Sequence, residues 1–592
     1  MPVSLRDIQF LIHDVFDFEG HYRALDLAAP PTFELIDAIV DEAARFTENE
    51  LAPLNRSGDE DGCHFADGHV STPKGFKQAY AKYIEGGWAG LSGDPEYGGQ
   101  GLPDSMSLFL EDLMCCANMA WTMYPGLSRG AMTALESHGS AELKSQFLGK
   151  LLSGEWTGTM CLTEPRAGSD VGLAKTKAER VADGSYAITG TKIFISAGDH
   201  DMAENIVHLV LARLPDAPQG TPGISMFVVP KFNLDGSRNA VDCGSIEEKM
   251  GIHGNATCVL NFDQACGYLV GEPGNGMRYM FTMMNGARLV VGLQGTCQAH
   301  AAYLRSADYA RERLQMRSLT GPKAPEQPAD PIIVHPDVRR MLLLQRAIAE
   351  GGRALVYYVG QVADRARQGP AEDRATAAEL LDFLTPIVKG ILTELGFESV
   401  NQAVQIFGGH GFIRETGVEQ YVRDVRIATI YEGTTQIQAL DLLGRKILAN
   451  QGRGLIAFTA EMNTLAESIE TSLPEMAAEL KALGKQLGKL TTNLCATATQ
   501  DLDELGAAAV DYLFYSGYSA LAYCWALIAR AAIAAEPAGV EAASSDPFVS
   551  GKLAVARFYF ARVLPRVAGH KAAIEAGKST LMNVGEDALT IL

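Results

Sequence analysis

The spacing of apolar residues changes twice along the chain. In Phe33-Glu-Leu-Ile-Asp-Ala-Ile-Val-Asp-Glu-Ala-Ala-Arg-Phe46 they recur every three to four positions, the period of a helix with one buried face. Helical spacing dominates residues 33 to 157, interrupted by the Gly/Pro-rich loop Gly93–Pro103. After Gly154 the pattern shortens into runs that suit strands. These are Tyr186-Ala-Ile-Thr, Lys192-Ile-Phe-Ile-Ser, Ile206-Val-His-Leu-Val-Leu, Ile224-Ser-Met-Phe-Val-Val and Cys258-Val-Leu-Asn-Phe, punctuated by Asp183-Gly184, Gly190, Gly198 and Pro215. A mostly antiparallel β domain over residues 158 to 270 is expected. Helical spacing resumes near Met277, breaks at the Pro-rich loop Gly321–Pro331, and fills the chain beyond Gly454. No fixed-period repeat is evident, which excludes a solenoid.

A chain of 592 residues is too long for one core. The pattern predicts an α+β multidomain protein. Its parts are an N-terminal helical arm (1–35), a helical N-domain (36–157), a β middle domain (158–275), a helical C-domain (276–450) and a C-terminal helical extension (451–592). Fifty basic against 71 acidic residues give a net charge of −21, which disfavours nucleic acid and anionic membrane as partners. The ten cysteines form no Cys-x-x-Cys pair and no zinc-spaced cluster, so no metal site is expected, and reduced thiols of a cytoplasmic protein are. The N-terminus shows no basic region followed by an apolar one, so no secretory signal is read there. Tyr512–Ala529 carries no charge over 18 residues, the threshold for a membrane span. Its four tyrosines and small residues fit a helix buried among helices better.

Five segments carry candidate chemistry. In Arg423–Leu440, Glu432 stands between Tyr431 and Gly433 after a mostly apolar run. Desolvation there disfavours the charged carboxylate and raises its pKa, which turns a glutamate into a base for a weakly acidic proton. The plain structural reading is a helix N-terminus capped by Thr434 or Thr435. Met160-Cys-Leu-Thr-Glu-Pro-Arg-Ala-Gly-Ser-Asp170 puts the hydroxyls of Thr163 and Ser169 and the flexible Gly168 in a loop after a strand, able to bond the edge of a heteroaromatic ring. Gly190-Thr-Lys-Ile-Phe-Ile-Ser-Ala-Gly198 offers Phe194 to pack a ring and Ser196 as a hydroxyl. Tyr309-Ala-Arg-Glu-Arg-Leu-Gln-Met-Arg317 offers the forked guanidinium of Arg313 to phosphate. Gln405-Ile-Phe-Gly-Gly-His-Gly follows helical sequence rather than a strand, so it is no dinucleotide fingerprint, yet Gly408 and Gly409 admit a close approach.

Together these segments resemble the acyl-CoA dehydrogenase family, over residues 35 to 450. The arm and extension resemble a large bacterial subgroup that includes the 3-methylmercaptopropionyl-CoA dehydrogenases. The resemblance implies the acyl-CoA dehydrogenase fold, with a helical N-domain, a β-barrel-like middle domain and a helical-bundle C-domain, plus an extra helical domain. It implies FAD, with Met160, Leu162, Thr163, Gly168, Ser169, Phe194, Ser196, Arg313, Gln405, Gly408, Gly409, Thr434 and Gln436 as contacts. Of these, Phe194 and Ser196 replace the frequent Trp and Thr. It implies α,β-dehydrogenation of an acyl-CoA to the trans-2-enoyl-CoA with Glu432 as base, and Ser169, Arg288, Tyr431 and Gly433 at the substrate. It further implies a homodimer with the cofactor contacts split between subunits, and electron-transferring flavoprotein as acceptor. His335 is a weaker cofactor candidate, and His253 departs from the family pattern without an assigned role. The acyl group stays open between 3-methylmercaptopropionyl and medium- to long-chain acyl, in a pocket expected to involve Met114–Tyr124. Two alternatives remain at this stage: an acyl-CoA oxidase using O₂, and a non-catalytic flavin-bearing relative that binds nucleic acid through Lys481, Lys485 and Lys489.

Overall fold

The computed structural model describes residues 4–535 and 546–590. The extreme ends of the expected arm and extension therefore lie outside the described residues. The chain forms two compact units, residues 3–39 with 291–592 and residues 40–290.

The unit of residues 40–290 combines helices with a sheet. A hairpin, β1 (His64–Ala66) and β2 (His69–Ser71), interrupts the block read as all helical. It turns at Asp67 and Gly68, both at positive φ, which is the Asp-Gly turn that matches strand twist. The main sheet has seven strands: β3 (Trp156–Cys161), β4 (Lys177–Arg180), β5 (Tyr186–Ser196), β6 (Asn205–Arg213), β7 (Ile224–Pro230), β8 (Val241–Ile246) and β9 (Thr257–Val270). Pairing runs from β6 through β4, β5, β9 and β7 back to β6, closing a barrel, with β3 and β8 added at its side. The contacts are antiparallel except for β3 and β4 against β6. Two runs expected as separate strands are one, β5, continuous through a register break between Lys192 and Ile195.

Strand alternation builds two cores from one strand. On β6, Val207, Leu209 and Leu211 pack with Ala131, Leu135 and Met280 of helices Met119–His138 and Gly276–Glu312. The alternate Val210 and Ala212 join Ile195, Phe227, Cys258 and Leu260 inside the barrel. Trp121 is fully buried, donates to Phe76 O (3.2 Å) and packs on Phe46 and Tyr83.

The other unit is a helical bundle. Helices Pro336–Gln368 and Ala371–Phe407 lie against Leu502–Ala535 of the extension. The approach is close because glycines line it. A Cβ on Gly390 would lie 2.7 Å from Leu513, and one on Gly517 would lie 2.6 Å from Ile391. Leu502–Ala535 is long and apolar enough to cross a membrane, but 78% of its most apolar window is buried inside the protein, which fits a core helix. Charges also tie the arm and extension to the bundle. Lys552 bonds Asp7 and Glu350 (2.8 Å), and Arg353 bonds Asp7 (2.7 Å), all buried. Burial alone would raise the Asp7 pKa; attraction to Lys552 and Arg353 outweighs it and holds the carboxyl well below its usual range. The ten cysteines are free.

Candidate functional site

In the β-containing unit, the segments around Thr163 and Phe194 come together. β3 ends at Cys161, and the loop that follows is pinned to β5. Ile193 N donates to Thr163 O (2.9 Å). Fully buried Lys192 donates to Leu162 O (3.1 Å) and pairs with Glu164 (2.8 Å). Glu164 also accepts from Lys175 N (2.6 Å), Thr176 N (3.0 Å) and the Thr176 hydroxyl (2.6 Å). Burial pushes the Glu164 pKa up, but Lys192 and these hydrogen bonds win and leave it lowered. The loop so held presents Thr163 half-buried and Gly168 and Ser169 exposed, with Met160 and Leu162 half-buried.

Phe194 sits in the register break of β5 with φ +57, and its side chain is 59% exposed. A left-handed non-glycine residue costs about 1–3 kcal/mol, and an exposed aromatic gains nothing from the core. Both costs make sense if the ring covers a flat ligand. Ser196 closes β5, half-buried. Arg288 is buried with its guanidinium 5.7 Å from the Phe281 ring. His253 bridges Asp59 (2.9 Å) and Lys249 O (2.8 Å), a structural tie.

In the bundle, the Tyr309 and Gln405 segments meet. Tyr309 stacks on Phe407 with ring centroids 4.1 Å apart. Arg313 and Gln405 are exposed, as are Gly408 and Gly409, where an added Cβ would meet open space. His335 bonds Gln315 O (2.8 Å) at the start of helix Pro336–Gln368, which explains it structurally.

Glu432 lies in the turn before helix Thr435–Leu440. Thr434 caps that helix, accepting from Ile437 N (3.4 Å), so the structural reading of the motif is also realised. Glu432 and Gly433 both have positive φ, +56 and +92. Tyr431 hydrogen-bonds Gln294 through its hydroxyl, Thr435 donates to Glu394 (2.5 Å), and Gln436 is exposed. Two buried side chains hold the turn's backbone. Lys389 donates to Gly433 O (2.6 Å) and Gln438 donates to Glu432 O (2.7 Å). The sequence reading missed Lys389, Gln438 and Gln294: the first two grip carbonyls, which every residue offers alike, and Gln294 accepts from the Tyr431 hydroxyl far along the chain, so no local pattern marks them.

Each unit by itself carries donors that suit part of a flavin dinucleotide: in the unit of residues 40–290, hydroxyls and backbone amides suit a ring edge and exposed Phe194 its face, and in the other unit Arg313 suits a pyrophosphate and open Gly408–Gly409 a close approach.

Comparison with known proteins bears on the same question. The acyl-CoA dehydrogenase N-terminal, middle and C-terminal domain models match residues 34–155, 159–265 and 274–448, and the acetyl-CoA dehydrogenase C-terminal-like model matches 458–585. The 3-methylmercaptopropionyl-CoA dehydrogenase of Ruegeria pomeroyi is 42% identical over 590 residues, 98% of each chain. A broad-specificity linear acyl-CoA dehydrogenase of Mycobacterium tuberculosis is 36% identical over 614 residues, 99% of each chain. The solved acyl-CoA dehydrogenase of Bacillus anthracis complexed with FAD shares the fold, with TM-score 0.74 and 22% identity, over 96% of this chain and 92% of that one.

Proposed function

The chain belongs to the acyl-CoA dehydrogenase family, FAD-dependent oxidoreductases acting on the CH–CH bond of an acyl-CoA, and we propose that Glu432 is its catalytic base. The observation that carries this is the backbone of Glu432. A non-glycine residue is held left-handed by two buried side chains, a strain that packing alone does not call for.

The α-proton of a thioester is too weakly acidic for a carboxylate in water, so the developing enolate needs donors and a site without bulk water. Glu432 takes the α-proton through its carboxylate, and its backbone N–H donates to the thioester oxygen. Ser169, Arg288, Tyr431 and Gly433 line the thioester and its CoA. FAD, when bound, supplies the hydride acceptor for the β-carbon, chemistry no side chain provides. Thr163, Ser169 and Ser196 would hold the cofactor by hydrogen bonds and Phe194 by packing, with Met160, Leu162, Thr434 and Gln436 as further contacts. Arg313, Gln405, Gly408 and Gly409 would hold the cofactor of a second subunit, which calls for a homo-oligomer, with a dimer as its simplest form. The electrons leave to an electron-transferring flavoprotein, as the family resemblance implies. The first substrate to try is 3-methylmercaptopropionyl-CoA, on the strength of the Ruegeria relative; straight-chain acyl-CoAs come next.

Glu432→Gln is expected to keep yellow FAD and bind acyl-CoA while substrate-dependent bleaching of the flavin stops. Bleaching at near-normal rate would remove Glu432 from the role. An acceptor-coupled assay across acyl groups identifies the substrate, and peroxide release without acceptor would instead mark an oxidase.

A further inference from the structure

We propose that Lys389, which lies in none of the site motifs, is a positioning residue that fixes the left-handed turn and so aims the carboxylate of Glu432. The inference rests on the assignment of Glu432 as base. A peptide unit is planar, so gripping its carbonyl oxygen sets the orientation of the whole unit. The two peptide units that follow the Glu432 Cα are both gripped, one by Gln438 at Glu432 O (2.7 Å) and the next by Lys389 at Gly433 O (2.6 Å). Both side chains are fully buried, where a hydrogen bond is stronger than in water. The turn needs such a grip because Glu432 (φ +56) and Gly433 (φ +92) are both left-handed, and only glycine adopts that freely.

The helix on either side of Lys389 is closely packed. The neighbouring Gly390 meets Leu513, and Ile391 meets Gly517, both on helix Leu502–Ala535. On the other flank, Val388 lies 2.7 Å from where a Cβ on Gly292 would stand. The extension thus bears on the helix that delivers the ammonium to the turn.

The test uses the FAD-loaded full chain. Lys389→Met is compared with wild type for FAD content, KM, kcat and deuterium exchange at the substrate α-carbon. The same change is then made in the Glu432→Gln background. The expected result is a loss of about 10²-fold in kcat, the scale of a misplaced catalytic group. KM should move less than about 3-fold, since ground-state binding is not what is lost. In the Glu432→Gln background, Lys389→Met should leave the residual exchange rate unchanged, because the group it positions is already gone. A kcat within about 3-fold of wild type overturns the proposal. So does an equal fold-loss in both backgrounds, which would mark a general structural effect. If Lys389→Met does not yield FAD-loaded protein, Gln438→Met carries the test under the same criteria. Normal turnover of Glu432→Gln alone would instead sink the base assignment, a separate outcome.

Discussion

Two loops of this protein are each held by a fully buried lysine, and they are held differently. Lys192 reaches the loop after β3 through a side chain that the loop itself carries, Glu164, and closes on Leu162 O as well. Lys389 reaches the Glu432 turn through a backbone carbonyl, that of Gly433. The first anchor is an ion pair reinforced by three hydrogen bonds to Glu164, so it ties charge balance to loop shape. The second takes hold of the turn's backbone, at the carbonyl one residue after Glu432. An anchor through a side chain fixes where a loop sits; an anchor through carbonyls fixes which way its peptide planes turn.

The contrast can be broken at four points. Glu164→Ala leaves Lys192 buried without its counter-charge and should cost about 3–5 kcal/mol in a urea titration. A loss under about 1 kcal/mol would mean that water reaches the ammonium and that the ion pair does little to hold the loop. Gly433→Ala puts a Cβ 2.7 Å from the Gln438 amide at φ +92. Its expected cost is about 1–3 kcal/mol, with kcat falling more than stability implies. A silent Gly433→Ala would show that the turn is not tightly gripped.

The third point is acid. Glu164 has a folded pKa below its ordinary 4.5, so its contribution is complete above that value and is lost as pH falls through the lower folded one. Below pH 4.5 the stability of wild type should therefore fall more steeply than that of Glu164→Gln, by at most about 1.4 kcal/mol per pH unit for one proton. Equal slopes would deny the ion pair its role. The smallest effect is expected from Thr434→Ala, which removes a long capping bond (3.4 Å) at about 0.5–1 kcal/mol. A larger cost would mean that the cap, rather than Lys389 and Gln438, carries the turn.

Much of the architecture was legible because burial leaves a period. The apolar run Ile206–Leu211 is β6, buried on both faces, and the uncharged Tyr512–Ala529 run is a buried helix. The β1–β2 hairpin was missed because three-residue strands show no period, although Asp67-Gly68 was a usable turn signal. β4 and β8 were missed for a related reason. Lys177–Arg180 buries one residue in four, and Val241–Ile246 holds a glycine and an aspartate. A phenylalanine on a strand is ordinarily a core residue, yet Phe194 is exposed. Only the register break of β5 turns it outward.

Neighbouring residues suffice for the order of helical and stranded blocks, the motifs that mark the family, and the candidate base, since each is a local pattern. Tertiary structure alone decided that Asp7 meets Lys552 and Arg353, and that Lys389 meets the carbonyl of Gly433. The reason is physical. Every residue offers the same carbonyl, and any acid can answer any base, so these choices become specific only when folding brings distant groups together out of water.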